Sequence, residues 1–181
     1  MSDNNVVYTP SATLVPFLTC EAFISLISGP VGSGKSSAAM MKIAYHASKM
    51  RPGKDGIRRS RAVVVRNTNQ MLTDATIPTF MTWFPEGVAG SYARTAKNFT
   101  LKYDDVECEV LFRGLDDAND VRRLLSLECS FGILDEYREI HPDIFNALQG
   151  RVGRYPSVAR GGCVNDEGEP NAHIWGATNA P

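Results

Sequence analysis

GPVGSGKSS, residues 29–37, fits the pattern GxxxxGK[ST] from Gly29 to Ser36. Glycines let such a loop curl until its backbone N–H groups converge on phosphate oxygens, at the positive end of the helix that follows. In that frame Gly29, Pro30, Val31, Gly32, Ser33, Gly34, Lys35, Ser36 and Ser37 cradle a nucleotide. Lys35 reaches the β- and γ-phosphates, and Ser36 ligates Mg2+.

The loop needs a strand before it and a helix after it. EAFISLIS, residues 21–28, predicts a buried strand ending at Gly29. Met40, Ile43, Ala44, Ala47 and Met50 recur at helical spacing, so the next segment is a helix, stopping before Pro52-Gly53. RAVVVRN, residues 61–67, supplies a second apolar strand of the kind covered on both faces.

TDATIPTFMTWFPEG (73–87) suggests a broken helix with Pro78 near its start, burying Phe80, Met81, Trp83 and Phe84. NFTLKYDDVECEVLFRG (98–114) alternates apolar and polar residues around Asp104-Asp105, as a β-hairpin does, and its acids read as a solvated turn and outer face. DDANDVRRLLSLE (116–128) carries acids first and arginines later, the order a helix dipole favours. FGILDE (131–136) is an apolar strand capped by two carboxylates, HPDIFNALQGRVGRYP (141–156) a helix ending at Gly150, and AHIWGATNAP (172–181) a last strand. The alternation points to a mainly parallel α/β sheet flanked by helices, with an inserted β-hairpin and ligands at the carboxyl ends of the strands.

The chain of 181 residues, 43% hydrophobic and 22% charged, suits a single domain, 1–181, with its own core. No apolar run reaches membrane-spanning length, and MSDNNVVYTP has no signal-peptide pattern. Cys20, Cys108, Cys129 and Cys163 form no CxxC pair and read as reduced thiols, while His46, His141 and His173 stand isolated from one another, so no His/Cys metal site is expected. A net charge of -1 argues against wholesale wrapping of nucleic acid. Lys49, Arg51, Lys54, Arg58, Arg59 and Arg61, with Asp55 among them, form a run of the kind that is usually a solvated loop, and it is also the best local candidate for touching phosphates.

Asp135, at the end of ILDE, is placed to complete the magnesium site. Glu136 follows where a general base polarises water for in-line attack on a γ-phosphate. Thr178 and Asn179, ending a further strand, suit a sensor of the phosphate state. No NKxD segment marks GTP, so ATP is the expected nucleotide. A small-molecule kinase would not ordinarily need Glu136. Together these groups describe a P-loop NTPase of the catalytic-glutamate, RecA-like kind.

The chain resembles the N-terminal ATPase domain of tailed-bacteriophage large terminases, the motors that package DNA into procapsids. The likeness is carried by YTPSATLVPFLTCEAFISLISGPVGSGKSS, VVVRNTNQMLTDATIPTFMTWFP, LLSLECSFGILDEYREIHPDIFNALQGRVGRYPS and GATNAP, in that order. It implies that Gly29 to Ser37 is Walker A, that Asp135 and Glu136 are Walker B with the catalytic glutamate, and that Thr178-Asn179 is the coupling motif. It places adenine against the segment Tyr8 to Phe17.

The partners it implies are double-stranded DNA, a ring of copies, usually a pentamer, on a portal, and a small terminase subunit. The host cytoplasm is the implied location, with no membrane partner. The family's C-terminal nuclease domain has no counterpart in this chain, so nuclease activity is not expected. Two positions depart from the pattern. Pro30, Val31, Gly32 and Ser33 leave no arginine inside the loop, and a trans-acting arginine of some relatives falls at Leu125. Arg122 and Arg123 are the nearest substitutes, with Arg66, Arg151 and Arg154 as alternatives. The rivals are another nucleic-acid translocase, such as a helicase, and an ATP-gated assembly module that does not turn over.

Overall fold

In the computed structural model, which describes residues 7–115 and 118–180, strand β1 (Ile24–Gly29) runs into the phosphate loop and helix α2 (Lys35–Ser48) leaves it. A short helix α1 (Val15–Leu18) precedes them. Next come β2 (Arg58–Arg66), a helical rod made of α3 (Asn69–Met71), a π-helical turn (Leu72–Thr76) and α4 (Ile77–Trp83), then β3 (Gly90–Ala93), β4 (Asn98–Tyr103) and β5 (Val106–Gly114). The remainder is α5 (Ala118–Leu125), β6 (Phe131–Asp135), α6 (Pro142–Gln149) and β7 (His173–Asn179).

Among the described residues, seven strands form one sheet in the order β1-β7-β6-β2-β5-β4-β3. The first five of these run parallel, and β4 and β3 are added antiparallel beyond β5. The expected α/β class is therefore the observed one.

Alternation along the parallel strands divides the core in two. Ala62 and Val64 of β2 point to a face covered by α1, α2 and the rod, where Met40, Ile43, Phe80, Phe112 and Trp175 pack. Val63 and Val65 point to the other face, with Leu124 of α5 and Ile144 and Leu148 of α6. Both faces are covered, so β2 and β6 are buried almost throughout and read as continuous apolar runs. At Gly132 a Cβ would stand 2.5 Å from Leu148 Cδ2, so the glycine is what lets α6 lie close on β6.

Several expectations need correction. β1 is an edge strand, not a buried one: its residues alternate exposed and half-buried, and Leu26 is 47% exposed. The apolar sequence is matched by a neighbour on one side only. The rod begins at Asn69, earlier than Pro78 suggested, and Pro78 falls at the start of α4, directly after the π-helical turn. Phe80 and Phe84 are buried as expected, with Met81 and Trp83 partly so.

The Asp104-Asp105 hairpin exists, but it is part of the main sheet because β5 pairs in parallel with β2; β3 carried no recognisable signal. Asp116 and Asp117, expected to open α5, lie outside the described residues. His46 and His173 are not isolated: their ring centroids lie 4.1 Å apart, the planes tilted by 30°. Cys108, Cys129 and Cys163 are free thiols whose pKa is pushed up to about 12 by burial.

The basic run from Lys49 to Arg61 is largely neutralised. Arg58 pairs with Asp105 and Asp166, Arg59 with Asp55, Arg61 with Glu109, and Lys49 with Glu21. Arg61 also stacks on Tyr155. Surface pairs of this kind contribute little stability, but they take up the charge a phosphate would need.

Candidate functional site

The carboxyl ends of β1, β6 and β7 bring the chemistry-bearing residues together. Gly32 and Gly34 adopt φ values of +76° and +81°, open to glycine at no steric cost, and turn the chain into α2. Gly34 caps that helix without a side-chain hydrogen bond, and no acid occupies its first turn. The first N–H groups and the positive helix end are thus uncompensated, the condition for anion binding. An open cavity of about 360 Å3 is lined by residues 31–37, Glu136, Asn179 and Thr79.

Lys35, though buried, has no carboxylate partner among the described residues. Its Nζ donates to Pro30 O at 2.6 Å, Ser33 Oγ at 3.0 Å and Asn179 Oδ1 at 3.4 Å, all neutral acceptors that a phosphate oxygen outcompetes. Asp135 is buried at the end of β6. Burial raises its pKa, opposed by the Thr76 hydroxyl, which donates to Oδ2 at 2.5 Å, and by Arg66, whose Nη1 lies 3.8 Å from the same oxygen.

Glu136 is one of three non-glycine residues with positive φ among the described residues, at +53°. That conformation costs about 1–2 kcal/mol in an L-residue and is retained where neighbours over-determine it. Here the neighbours are Thr178 and Asn179. Thr178 Oγ1 donates to Oε2 at 2.8 Å, the Asn179 backbone N–H to Oε2 at 3.0 Å, and Asn179 Nδ2 to Oε1 at 2.8 Å.

The residues expected at the site therefore converge, with one difference: Thr178 and Asn179 grip the glutamate. Chemically, the arrangement offers a phosphate cradle, a cation without a counter-ion, a carboxylate for a divalent ion, and a second carboxylate held near the cradle. The protein donors available to a divalent ion such as Mg2+ would be the Ser36 hydroxyl and the Asp135 carboxylate. That fits an ion which fills its remaining positions with water and nucleotide phosphates.

The arginines separate by exposure. Arg122 and Arg123 are exposed on α5, Arg123 pairing with Asp120 at 3.3 Å. Arg154 is exposed and Arg151 half-buried. Arg66 is 4% exposed and engaged inside its own domain, which removes it from the trans candidates. Thr76, Thr79 and the role of Arg66 escaped the sequence. A larger cavity of about 490 Å3 opens at the amino ends of β2 and β5, but its rim is the already paired Arg59 with Lys54, Asp55, Glu107 and Arg160, away from this chemistry.

The fold matches that of the large terminase from a thermophilic bacteriophage with a TM-score of 0.69, at 12% identity over 94% of this chain and 39% of that one. The fold is that of the large-terminase ATPase domain. The Thermus phage P74-26 large terminase ATPase domain aligns over 94% of this chain and 65% of its own, with a TM-score of 0.60 and 16% identity. The first phage's large terminase in complex with ATP-γ-S aligns over 91% of this chain and 36% of its own, with a TM-score of 0.62 and 11% identity. This chain of terminase fold thus spans about two fifths of the length of the first phage's protein. No protein-family model matches the sequence, and no curated protein matches it. Among the described residues, no helix is long and apolar enough to cross a membrane.

Proposed function

We propose that this chain is the ATPase motor domain of a tailed-phage large terminase, hydrolysing Mg-ATP to translocate double-stranded DNA into a procapsid. The observation that carries the reading is Glu136, held by Thr178 and Asn179 at the rim of the phosphate cradle and directly after Asp135. A nucleotide holder has no use for a second carboxylate there. A hydrolase needs one to orient and deprotonate water.

In this reading Lys35 exchanges Pro30 O and Ser33 Oγ for phosphate oxygens, and the first turn of α2 supplies backbone donors. Ser36 and Asp135 hold Mg2+, which when bound neutralises charge developing on the β- and γ-phosphates. Glu136 takes the proton of the attacking water once a water replaces one of its present donors. Asn179, bonded to both Lys35 and Glu136, senses the change at the phosphate and passes it to β7. Arg122 or Arg123 of a neighbouring subunit completes the site in a ring, with DNA and a small terminase subunit as the ring's partners.

The engaged state of Glu136 also suits an ATP-gated assembly module, in which the glutamate stays tied. Phosphate release from Mg-ATP, measured per subunit across a protein-concentration series with Glu136→Gln as control, separates the two. Specific activity that climbs with concentration and is lost in the variant supports the motor. Tight nucleotide binding without turnover at any concentration, with DNA present, overturns hydrolysis and leaves the module.

A further inference from the structure

Thr76 behaves unlike Thr73 and Thr82 of the same helical rod. Thr73 and Thr82 turn their hydroxyls back to the carbonyls of Asn69 and Pro78, at 2.9 and 3.0 Å, the usual habit of helical threonine. Thr76, 1% exposed, instead donates across to Asp135 Oδ2 at 2.5 Å, bridging two elements 59 positions apart in the chain. The π-helical turn Leu72–Thr76 explains how: the N–H of Ile77 bonds to Leu72 O, five residues back, so the turn holds one residue more than an α-turn. That extra residue resets the facing of everything after it. Thr79, one turn further on, lines the phosphate cavity.

Arg66 approaches from β2. Its Nη1 stands 3.8 Å from the same Oδ2, its Nη2 is 3.3 Å from Glu139, and its Nε is buried without a partner. A buried guanidinium left incompletely bonded is costly, and its removal would leave Asp135 in a low-polarity setting with no cation near it. Two groups from two elements therefore converge on one oxygen of one carboxylate, leaving Oδ1 without a hydrogen-bond partner among the described residues.

We propose that Thr76 and Arg66 are positioning residues for Asp135, fixing its Oδ2 so that Oδ1 is presented to the divalent cation of the nucleotide. The inference rests on the reading of Asp135 as the magnesium-side carboxylate. Partners that orient a metal-binding carboxylate are commonly worth about 10- to 100-fold in metal affinity. Thr76 is not among the residues that line the phosphate cavity. It acts through Asp135, and the π-turn is what brings it there.

The test is binding, not turnover. A fluorescent ADP analogue is titrated against the full chain without Mg2+ and across a Mg2+ series, for the wild type, Asp135→Ala, Thr76→Val, Thr76→Ser and Arg66→Lys. Thr76→Val keeps the volume and removes the hydroxyl. It is expected to raise the Mg2+ concentration at half-effect about 10-fold while leaving Mg-free affinity unchanged, and Thr76→Ser is expected to restore it. Arg66→Lys, which keeps the charge but not the fork, is expected to lie between.

If Asp135→Ala abolishes the Mg2+ effect while Thr76→Val leaves it intact, the positioning role is overturned and the magnesium-site reading stands. Equal loss of Mg-free and Mg-dependent binding in Thr76→Val makes the residue a general structural prop and also overturns the proposal. An unchanged Mg2+ effect in Asp135→Ala overturns both.

Discussion

Asn179 holds Glu136 twice, its backbone N–H on Oε2 at 3.0 Å and its side-chain Nδ2 on Oε1 at 2.8 Å, while its Oδ1 accepts from Lys35 at 3.4 Å. One side chain thus joins Glu136 to Lys35. Asn179→Ala breaks both side-chain links and spares the backbone one. Single-turnover phosphate release is expected to fall about 10- to 100-fold, because a misplaced base is costly, while nucleotide affinity changes little. A faster release in Asn179→Ala would mean that the grip restrains the glutamate and does not aim it.

Stability should fall early on the acid side. His46 is fully buried, neither ring nitrogen has a hydrogen-bond partner among the described residues, and burial, His173 and Lys42 hold its pKa down at about 2. Below about pH 6.5 the unfolded chain binds a proton that the folded chain refuses, so stability drops as pH falls, with a slope approaching about 1.4 kcal/mol per pH unit. The urea midpoint should decline from about pH 6.5 to about 4.5, and His46→Leu should flatten that decline. His173, shifted the same way, leaves a residual slope. An identical pH profile in His46→Leu would remove His46 as the cause.

Lys42 is a buried cation used as a clasp. Its Nζ donates to Phe17 O at 2.7 Å, Cys20 O at 2.9 Å and Ser25 Oγ at 3.0 Å, tying α1 and the start of β1 to α2. Burial lowers its pKa to about 8, so at neutral pH it still carries the proton that these acceptors require. Lys42→Met keeps the stem and leaves the acceptors bare, for an expected loss of about 3 kcal/mol measured by urea unfolding at neutral pH. A loss below about 1 kcal/mol would mean that water or the methionine sulfur replaces the clasp.

Gly132→Ala tests packing apart from chemistry. The added methyl meets Leu148 at 2.5 Å on the face away from the rod. Overpacking of this sort costs about 1–3 kcal/mol, so the melting temperature should fall with the Michaelis constant for ATP unchanged. A changed Michaelis constant would show that the seating of α6 reaches the site through β6.

What the sequence disclosed follows from how local each feature is. GPVGSGKSS declares a loop because its glycines and lysine act within one turn of chain, and ILDE and GATN end strands whose apolar runs are plain. The parallel core was legible for the same reason. The partnership of Glu136 with Asn179 spans 43 positions and that of Thr76 with Asp135 spans 59, and no periodicity records either. Arg66 read only as an alternative trans arginine, because its burial comes from contacts with distant parts of the chain. β1 was misjudged because an apolar strand at a sheet's rim has the same composition as one at its centre. The pairing of the basic run was not legible because Asp105, Asp166 and Glu109, which neutralise it, arrive from far along the chain.

The position of β1 at the rim has a practical side. Among the described residues no strand pairs with its outer edge, and Phe23, Ile24 and Leu26 stand partly in water there. Such a rim is adhesive toward any extended chain. Molecules of this protein can therefore stick to one another through β1 with no ring geometry and no nucleotide between them, and a sedimentation shift alone is not a sign of a working assembly. Leu26→Lys, which puts a charge on that edge strand, is expected to suppress such contacts, so that any association it leaves uses another surface.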